Sequence, residues 1–286
     1  MSAATNFDYE YPQGSPEWLA FRKTKVTATD ASAILGLNPW KTRLQLYHEK
    51  LSNDPPKPCN EAMQRGNDLE PIARDLFKIK TGHKMEPRVV VKDWAMASLD
   101  GINAWNEILE IKCPGEKVHA VAVAGKVPDY YYPQLQHQMW VCDSQKAFYF
   151  SFDGADGVIV DVKRDEEFIK NMVDQEQQFY QCLQNKTPPE PTENDYIQRN
   201  DDLWSQCALE WKTVSDMIKR LEEKENHLRK QLIFLSGQSN CKGAGISLCQ
   251  VNRVGNVDYS KIPELKGVNL DKYRKASSSS WRITCS

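Results

Sequence analysis

No run in this 286-residue chain approaches the ~20 consecutive apolar residues that a membrane-spanning helix needs, so no membrane partner is expected. Residues 1–12 are polar and acidic, unlike a secretory leader, which points to an intracellular, cytoplasmic protein. Eight cysteines are present (Cys59, Cys113, Cys142, Cys182, Cys207, Cys241, Cys249 and Cys285), but none form a C-x-x-C pair or a zinc spacing. They read as reduced thiols. The five histidines, His48, His83, His119, His137 and His227, lack i, i+3 or i+4 histidine partners, so no zinc site is expected. The glycine pattern of a P-loop is missing too, and nothing suggests an ATP-driven motor. There is no excess of positive charge either: 37 Lys and Arg against 39 Asp and Glu give −2.

The distribution of charge says more than its sum. Residues 241–286 hold eight basic residues (Lys242, Arg253, Lys261, Lys266, Lys272, Arg274, Lys275, Arg282) against three acids (Asp258, Glu264, Asp271), a local +5 that leaves −7 on the rest. An acidic body still suits a polyanionic substrate if a cation compensates its own carboxylates and one groove is basic. With 40% apolar and 27% charged residues, the chain suits one good-sized globular domain plus an appendage.

The informative stretch is residues 98–114. Ile108, Leu109, Ile111 and Cys113 read as a short buried strand interrupted by Glu110 and Lys112. Side chains alternate along a strand, so Glu110 and Lys112 share one face and Ile111 points the other way. If the preceding strand, ending at Asp100, pairs back through a turn over residues 101–106, a second carboxylate joins them. Two carboxylates can hold a hard divalent cation, and a lysine beside them can orient water or neutralise an oxyanion. An exposed edge strand with alternating charges would give the same letters.

Asp100-Gly101 followed by Glu110-Ile111-Lys112-Cys113-Pro114 resembles the PD-(D/E)XK nuclease signature, in the form seen in lambda exonuclease and the YqaJ-type viral recombinases. The resemblance extends over about residues 15–190. Ser15-Pro16-Glu17-Trp18 is a helix start, with Ser as N-cap and Pro at the first helical position. Residues 26–36 read as a second capped helix closed by Gly36. In the family pattern an Arg ends the first helix and hydroxyls open the second, together holding a DNA phosphate; Arg22, Thr27 and Thr29 occupy those places, with Thr29 where Ser is more usual. A guanidinium beside helix-start hydroxyls is a sensible phosphate pocket, although simple N-capping explains the threonines equally. A short helix is expected over 42–51, a loop over 53–58, then a segment 60–66 leading into a helix that starts at Asp68, has Pro71 in its first turn and stops at Thr81-Gly82. Arg65, Gly66 and Glu70 match the family's R-G-x-x-x-E, which makes Glu70 a further acid at the metal site, as ligand or supporting partner. Taken alone Glu70 reads as a solvated first-turn acid.

Strands are expected at 88–92, 95–99, 107–113, 146–153 and 158–163, and helices at 116–124, 129–142 and 164–185. Within 129–142, Pro133 to Val141 resembles the family's glutamine helix, which puts Gln134 at the active site and Gln136 as a weaker candidate; a polar wet face is the plain alternative. This order fits the α/β core of the restriction-endonuclease-like fold, a central mixed sheet flanked by helices, over residues 1–190. Pro-rich 186–191 is a stiff linker. Residues 191–286 form an extension. In it Cys207, Trp211, Val214, Ile218, Leu221, Leu228, Leu232 and Leu235 alternate at spacings of four and three with Glu225 in register, a long heptad-like helix over 202–235 that needs a partner surface. The basic tail, 241–286, predicts a small α+β piece with strands at 246–251 and 281–285. Its Tyr259, Tyr273 and Trp281 among basic residues suit nucleic acid, or only a solvated surface.

The resemblance implies a Mg²⁺-dependent exodeoxyribonuclease, with Mn²⁺ able to substitute. It would degrade the 5′ strand from duplex DNA ends, leaving 3′ overhangs for a phage-type single-strand annealing protein in recombination. Asp100, Glu110 and the Ile111 carbonyl would hold the ion, Lys112 would position water, and Gln134 would support them. It also implies a trimeric homo-oligomer around DNA and a phage or prophage origin in a bacterial host. Two rivals stay open: a restriction-type endonuclease, and a DNA-binding module without turnover.

Overall fold

This computed structural model of the protein describes residues 7–8, 14–52, 60–251, 255, 258, 261–265, 268 and 273. The expected loop at 53–58, the strand at 281–285, Tyr259 and Trp281 lie outside them. The chain divides into two compact units, Met1–Ile197 and Gln198–Ser286. Among the described residues no helix is long and apolar enough to cross a membrane.

The first unit begins with the two-residue strand β1 (Phe7–Asp8) and helix α1 (Pro16–Lys23). The Ser15 hydroxyl accepts from the Trp18 N–H at 3.1 Å, and Arg22 and Lys23 close the last turn, where cations suit the helix dipole. A capped helix is expected over 26–36, but Val26–Thr27 is a strand, β2, and the helix is confined to α2 (Ala31–Ile34) behind a 3₁₀ turn. The cause is tertiary: the β-branched pair joins the sheet, and the Asp30 side chain takes the Thr27 N–H and hydroxyl, both at 2.8 Å. Helix α3 (Arg43–Leu51) starts at a Thr42/Gln45 capping box.

Helix α4 (Glu61–Thr81) is one piece where two segments are expected, with Pro71 inside it. An interior proline costs about 3 kcal/mol. Burial of Ala73 and Phe77 against Leu109, Ile111, Phe148 and Phe150 offsets it. Gly82, at φ 74°, ends the helix in the left-handed conformation.

The sheet follows: β3 (Glu86–Lys92), β4 (Ala95–Ile102), β5 (Ile108–Lys112), β6 (Lys146–Phe152) and β7 (Gly157–Lys163), in the order β1-β3-β4-β5-β6-β7 with β2 beside β4. β5 and β6 run parallel, joined by α5 (Glu116–Val123) and α6 (Tyr132–Cys142); β2 is parallel to β4, and the other pairs are antiparallel. β4 runs past Asp100 to Ile102, so the turn comes later than expected. α6 starts three residues later than expected, because Pro133 fits only a first turn. The last helix of the unit is α7 (Glu166–Asn185).

Strand alternation sorts the core onto two faces. Leu109, Ile111, Phe148 and Phe150 pack with α4, while Ile108 and Tyr149 pack with Leu135 and Met139 of α6 and Phe179 of α7. The residues between Ile108 and Lys112 thus present Glu110 to the α6 side. In the second unit α8 (Asp202–Leu235) has the expected length, and β8 (Cys241–Gly243) and β9 (Ile246–Leu248) form a hairpin. No residue of α8 is buried.

Gly101 marks a close approach between β4 and its neighbours. A Cβ there would stand 2.6 Å from Met85 Cβ and 3.3 Å from Leu109 Cβ, with no side-chain end to yield. Gly101→Ala should destabilise the protein by about 1–3 kcal/mol through overpacking, read as a lower urea midpoint at unchanged slope.

Candidate active site

Gly101 of β4 pairs with Leu109 of β5, so the next residues along, Asp100 and Glu110, stand beside each other on neighbouring strands. Asp100 Oδ2 accepts from the Ile111 N–H at 2.7 Å, which fixes its carboxylate against β5. Glu110 is 2% exposed, and a carboxylate so buried must be fully paired. The Lys112 ammonium and the Gln134 amide both donate to its Oε1, and the Gln138 amide donates to its Oε2. Gln134 and Gln138 are one turn apart on α6, so a single helical face delivers both. Lys112 Nζ also lies 5.2 Å from the centre of the Tyr131 ring.

The electrostatics of the two carboxylates differ. Burial pushes Asp100 well above the usual carboxylate range, and the charges of Glu110 and Glu70 push it further; Lys112 and the Ile111 N–H only partly relieve this. Burial pulls the Lys112 ammonium down, but Glu110 and Asp100 outweigh it and hold its pKa above that of an ordinary lysine. Burial pushes the Cys113 thiol up to about 11, so it stays protonated at neutral pH. Glu70 pairs with Arg74, and Arg74 Nε donates to the Asp100 carbonyl at 2.8 Å. This tethers the acid of α4 to the strand that carries Asp100.

Among the described residues, no three His, Cys, Asp or Glu side chains are grouped closely enough to hold a metal ion. The donor chemistry nevertheless fits a hard divalent cation: Asp100, Glu110 and the Ile111 carbonyl are all oxygen donors, and Lys112 compensates the charge of Asp100 only in part.

The other candidates form a second cluster. Arg22 Nη2 donates to Thr29 Oγ1 at 2.7 Å, and Thr29 Oγ1 lies 3.1 Å from Thr27 Oγ1. Behind them Asp30 forms a buried ion pair with Lys50 at 2.5 Å; although burial opposes its charge, Lys50 and Arg22 hold its pKa below the usual range. Gln136 does not face the carboxylates: its amide donates to the Lys163 carbonyl and its oxygen accepts from the Asp165 N–H, which locks α6 to the start of α7. Sequence reasoning missed Gln138, although its i+4 spacing from Gln134 was the available signal. It also missed Arg74, Tyr131 and the Asp30–Lys50 pair, which only the fold brings into place.

Residues 17–145, which include both clusters, match the pattern of the YqaJ-like viral recombinase domain. Over these residues the chain is similar to that domain. The uncharacterized protein YqaJ of Bacillus subtilis (strain 168) is 28% identical over 174 residues, 57% of this chain and 54% of that protein. The chain therefore spans about half the length of the curated relative it matches. Among solved structures, the alkaline exonuclease LHK-Exo from Laribacter hongkongensis is 26% identical with a TM-score of 0.52, over 60% of this chain and 94% of that one. LHK-Exo in complex with dAMP gives a TM-score of 0.53 at the same identity and coverage. The mixed sheet flanked by helices is the architecture in common.

The first unit thus holds one carboxylate that is fully paired and one that is electrostatically strained. The folded-state pKa of Asp100 lies above its unfolded value, so ionising it costs stability, and this cost grows as pH rises through the folded value. In EDTA at neutral pH, Asp100→Asn should therefore raise Tm, by about 2–4 °C if ~1 kcal/mol is relieved. Scanning calorimetry at pH 7 and at pH 4 checks it, with the gain shrinking at the lower pH.

Proposed function

We propose that this protein is a divalent-metal-dependent deoxyribonuclease that removes nucleotides from the ends of duplex DNA. The single observation that carries the reading is the Asp100–Glu110–Lys112 constellation on adjacent strands, with a glutamine pair from α6 fixing Glu110. LHK-Exo, with the same fold, is an alkaline exonuclease. Asp100, Glu110 and the Ile111 carbonyl would hold the ion, Mg²⁺ with Mn²⁺ as substitute, and Glu70 would add negative charge behind them. A bound divalent cation supplies Lewis-acid polarisation of the scissile phosphate and lowers the pKa of a coordinated water.

The chain's own residues do the rest. Lys112, anchored to Glu110, reaches from β5 to orient the attacking water and to offset the negative charge that builds on the phosphate. Gln134 and Gln138 keep Glu110 in one rotamer without adding charge. Arg22 presents its guanidinium to a phosphate of the DNA end, with Thr29 and Thr27 as hydroxyl partners. Digestion of the 5′ strand would leave a 3′ overhang for a single-strand annealing protein, in a phage-type recombination pathway. A homo-oligomeric ring, a trimer by family resemblance, would keep the enzyme on its track. Residues 1–190 would be the nuclease domain and 191–286 its extension.

Linear duplex labelled separately at each 5′ and 3′ end, with Mg²⁺ or EDTA, should release nucleotides from the 5′ label first and only with the metal. Covalently closed circular DNA should stay intact, whereas a restriction-type endonuclease would open it. Lys112→Ala should slow nucleotide release by roughly 100-fold or more, on the order of what one positioned catalytic group contributes. Unchanged release by that variant would remove Lys112 from the mechanism.

A further inference from the structure

A line of aromatic rings leads from the catalytic lysine to the surface. Lys112 Nζ sits 5.2 Å from the Tyr131 ring centre, Tyr131 is 4.4 Å from Tyr130, and Tyr130 meets Trp40 edge to face at 4.9 Å. Trp40 is 71% exposed. Its backbone is nonetheless rigidly mounted: Asn38 Oδ1 accepts from the Trp40 and Lys41 N–H groups at 2.9 and 3.0 Å, and the Asn38 amide donates to the Ser32 hydroxyl at 3.2 Å. An edge-to-face contact occupies at most one face of the indole, so at least one face is open. An indole held on a fixed turn with an open face can take a flat ring against it with little further ordering.

We propose that Trp40, backed by Tyr130 and Tyr131, is a stacking platform for unpaired bases of the DNA strand next to the reacting phosphate. This rests on the nuclease reading. A strand that reaches the carboxylates must leave the duplex, and its bases lose their stacking partners there. Aromatic faces replace that stacking without reading sequence, because every base has a π-face. The platform therefore selects single-stranded DNA of any sequence, and it requires the base rather than the phosphate.

The test is equilibrium binding in EDTA of two fluorescent probes of equal length, an oligothymidylate and its abasic counterpart, to the full chain. Trp40→Ala should weaken oligothymidylate binding about tenfold, the size of one lost base stack. Trp40→Phe should retain most of the affinity, and the abasic probe should bind wild type and Trp40→Ala alike. Equal oligothymidylate affinity in wild type and Trp40→Ala, or an equal loss for both probes, overturns the platform. Nucleotide release by wild type with Mg²⁺ is scored in parallel. Its absence sinks the nuclease reading, whereas an unchanged affinity in Trp40→Ala sinks the platform alone.

A separate observation concerns α8. Its apolar seam keeps strict heptad spacing from Cys207 to Leu235 and is exposed throughout, and a 3.5-residue repeat calls for a second helix wound left-handedly around it. We infer that the partner is α8 of a second copy, running antiparallel. In a parallel pair Glu225 would face its own copy inside the seam, and Lys224 would flank Arg229. With the twofold axis between Ile218 and Leu221, the seam positions from Cys207 to Leu232 meet one another and Leu235 meets Trp204, one step before the seam. Glu225 then opposes Val214, Cys207 opposes Leu232, and no like charges meet.

Sedimentation of the full chain should show a species that Leu221→Glu reduces to half its mass. Under mild oxidation, Leu232→Cys should form an intermolecular disulfide with Cys207, and mass spectrometry would map it. A mass unaffected by Leu221→Glu overturns the pairing. A Cys207–Cys207 disulfide in wild type overturns its direction.

Discussion

Glu110 is a carboxylate in a place where water does not reach, and the first unit is arranged so that it can stay there. Removing a carboxylate from water costs several kcal/mol unless each oxygen finds donors. Here the donors come from two directions: Lys112, two residues along the same strand, and Gln134 and Gln138, from the helix packed across it. The strand alternation that sends Ile108 into the α6 face sends Glu110 there too. The same alternation leaves Leu109 and Ile111 to hold α4 on the opposite side. The packing of both helix layers is thus set by one five-residue strand, and the polar centre on it cannot shift without breaking a layer.

Asp100 obeys the opposite logic. It sits beside Glu110 and accepts from the Ile111 backbone N–H, and burial, with the neighbouring acids, raises its pKa. A folding optimum would have placed a neutral side chain there. The second cluster is supported in the way Glu110 is, by a buried Asp30–Lys50 pair behind the surface residues Arg22 and Thr29. β4 links the two: Thr27 registers with Met96, four residues before Asp100, or about 13 Å along the strand. A single strand thereby spaces the strained carboxylate from the hydroxyl and guanidinium cluster.

Much of this was legible in the letters, for reasons that differ between residues. Glu110 and Lys112 were legible because a period of two inside an apolar run puts both on one face, whatever the fold. Asp100 needed only the neighbouring strand and a short turn. The boundaries of α8 were legible because its heptad pattern runs uninterrupted between an Asp N-cap and Gly237. What stayed hidden depended on packing across long separations. Val26 and Thr27 read as helix until β4 captured them, and Pro71 read as a first-turn residue until burial of Ala73 and Phe77 carried the helix through it. Gln138 was visible as a periodic position, but its role depends on α6 lying over β5, which no local signal states. Trp40 looked like a turn residue because nothing nearby in sequence reveals Tyr130, ninety residues on, beside it.

The charge states constrain the proposed chemistry further than the residue types do. Lys112 is held protonated by Glu110 and Asp100, so at neutral pH it has no lone pair with which to take a proton from water. In the proposed reaction its contribution would therefore be a positive charge and hydrogen-bond donation. Glu110 has both oxygens engaged by donors, the Lys112 ammonium and the two glutamine amides. Burial and the neighbouring acids favour a proton on Asp100 when no cation is near. A divalent ion would offset the burial and the repulsion that together make Asp100 basic. If the proposed ion binds there, cation binding and proton release at Asp100 would be two sides of one equilibrium, and affinity for the ion would rise with pH until Asp100 is fully ionised.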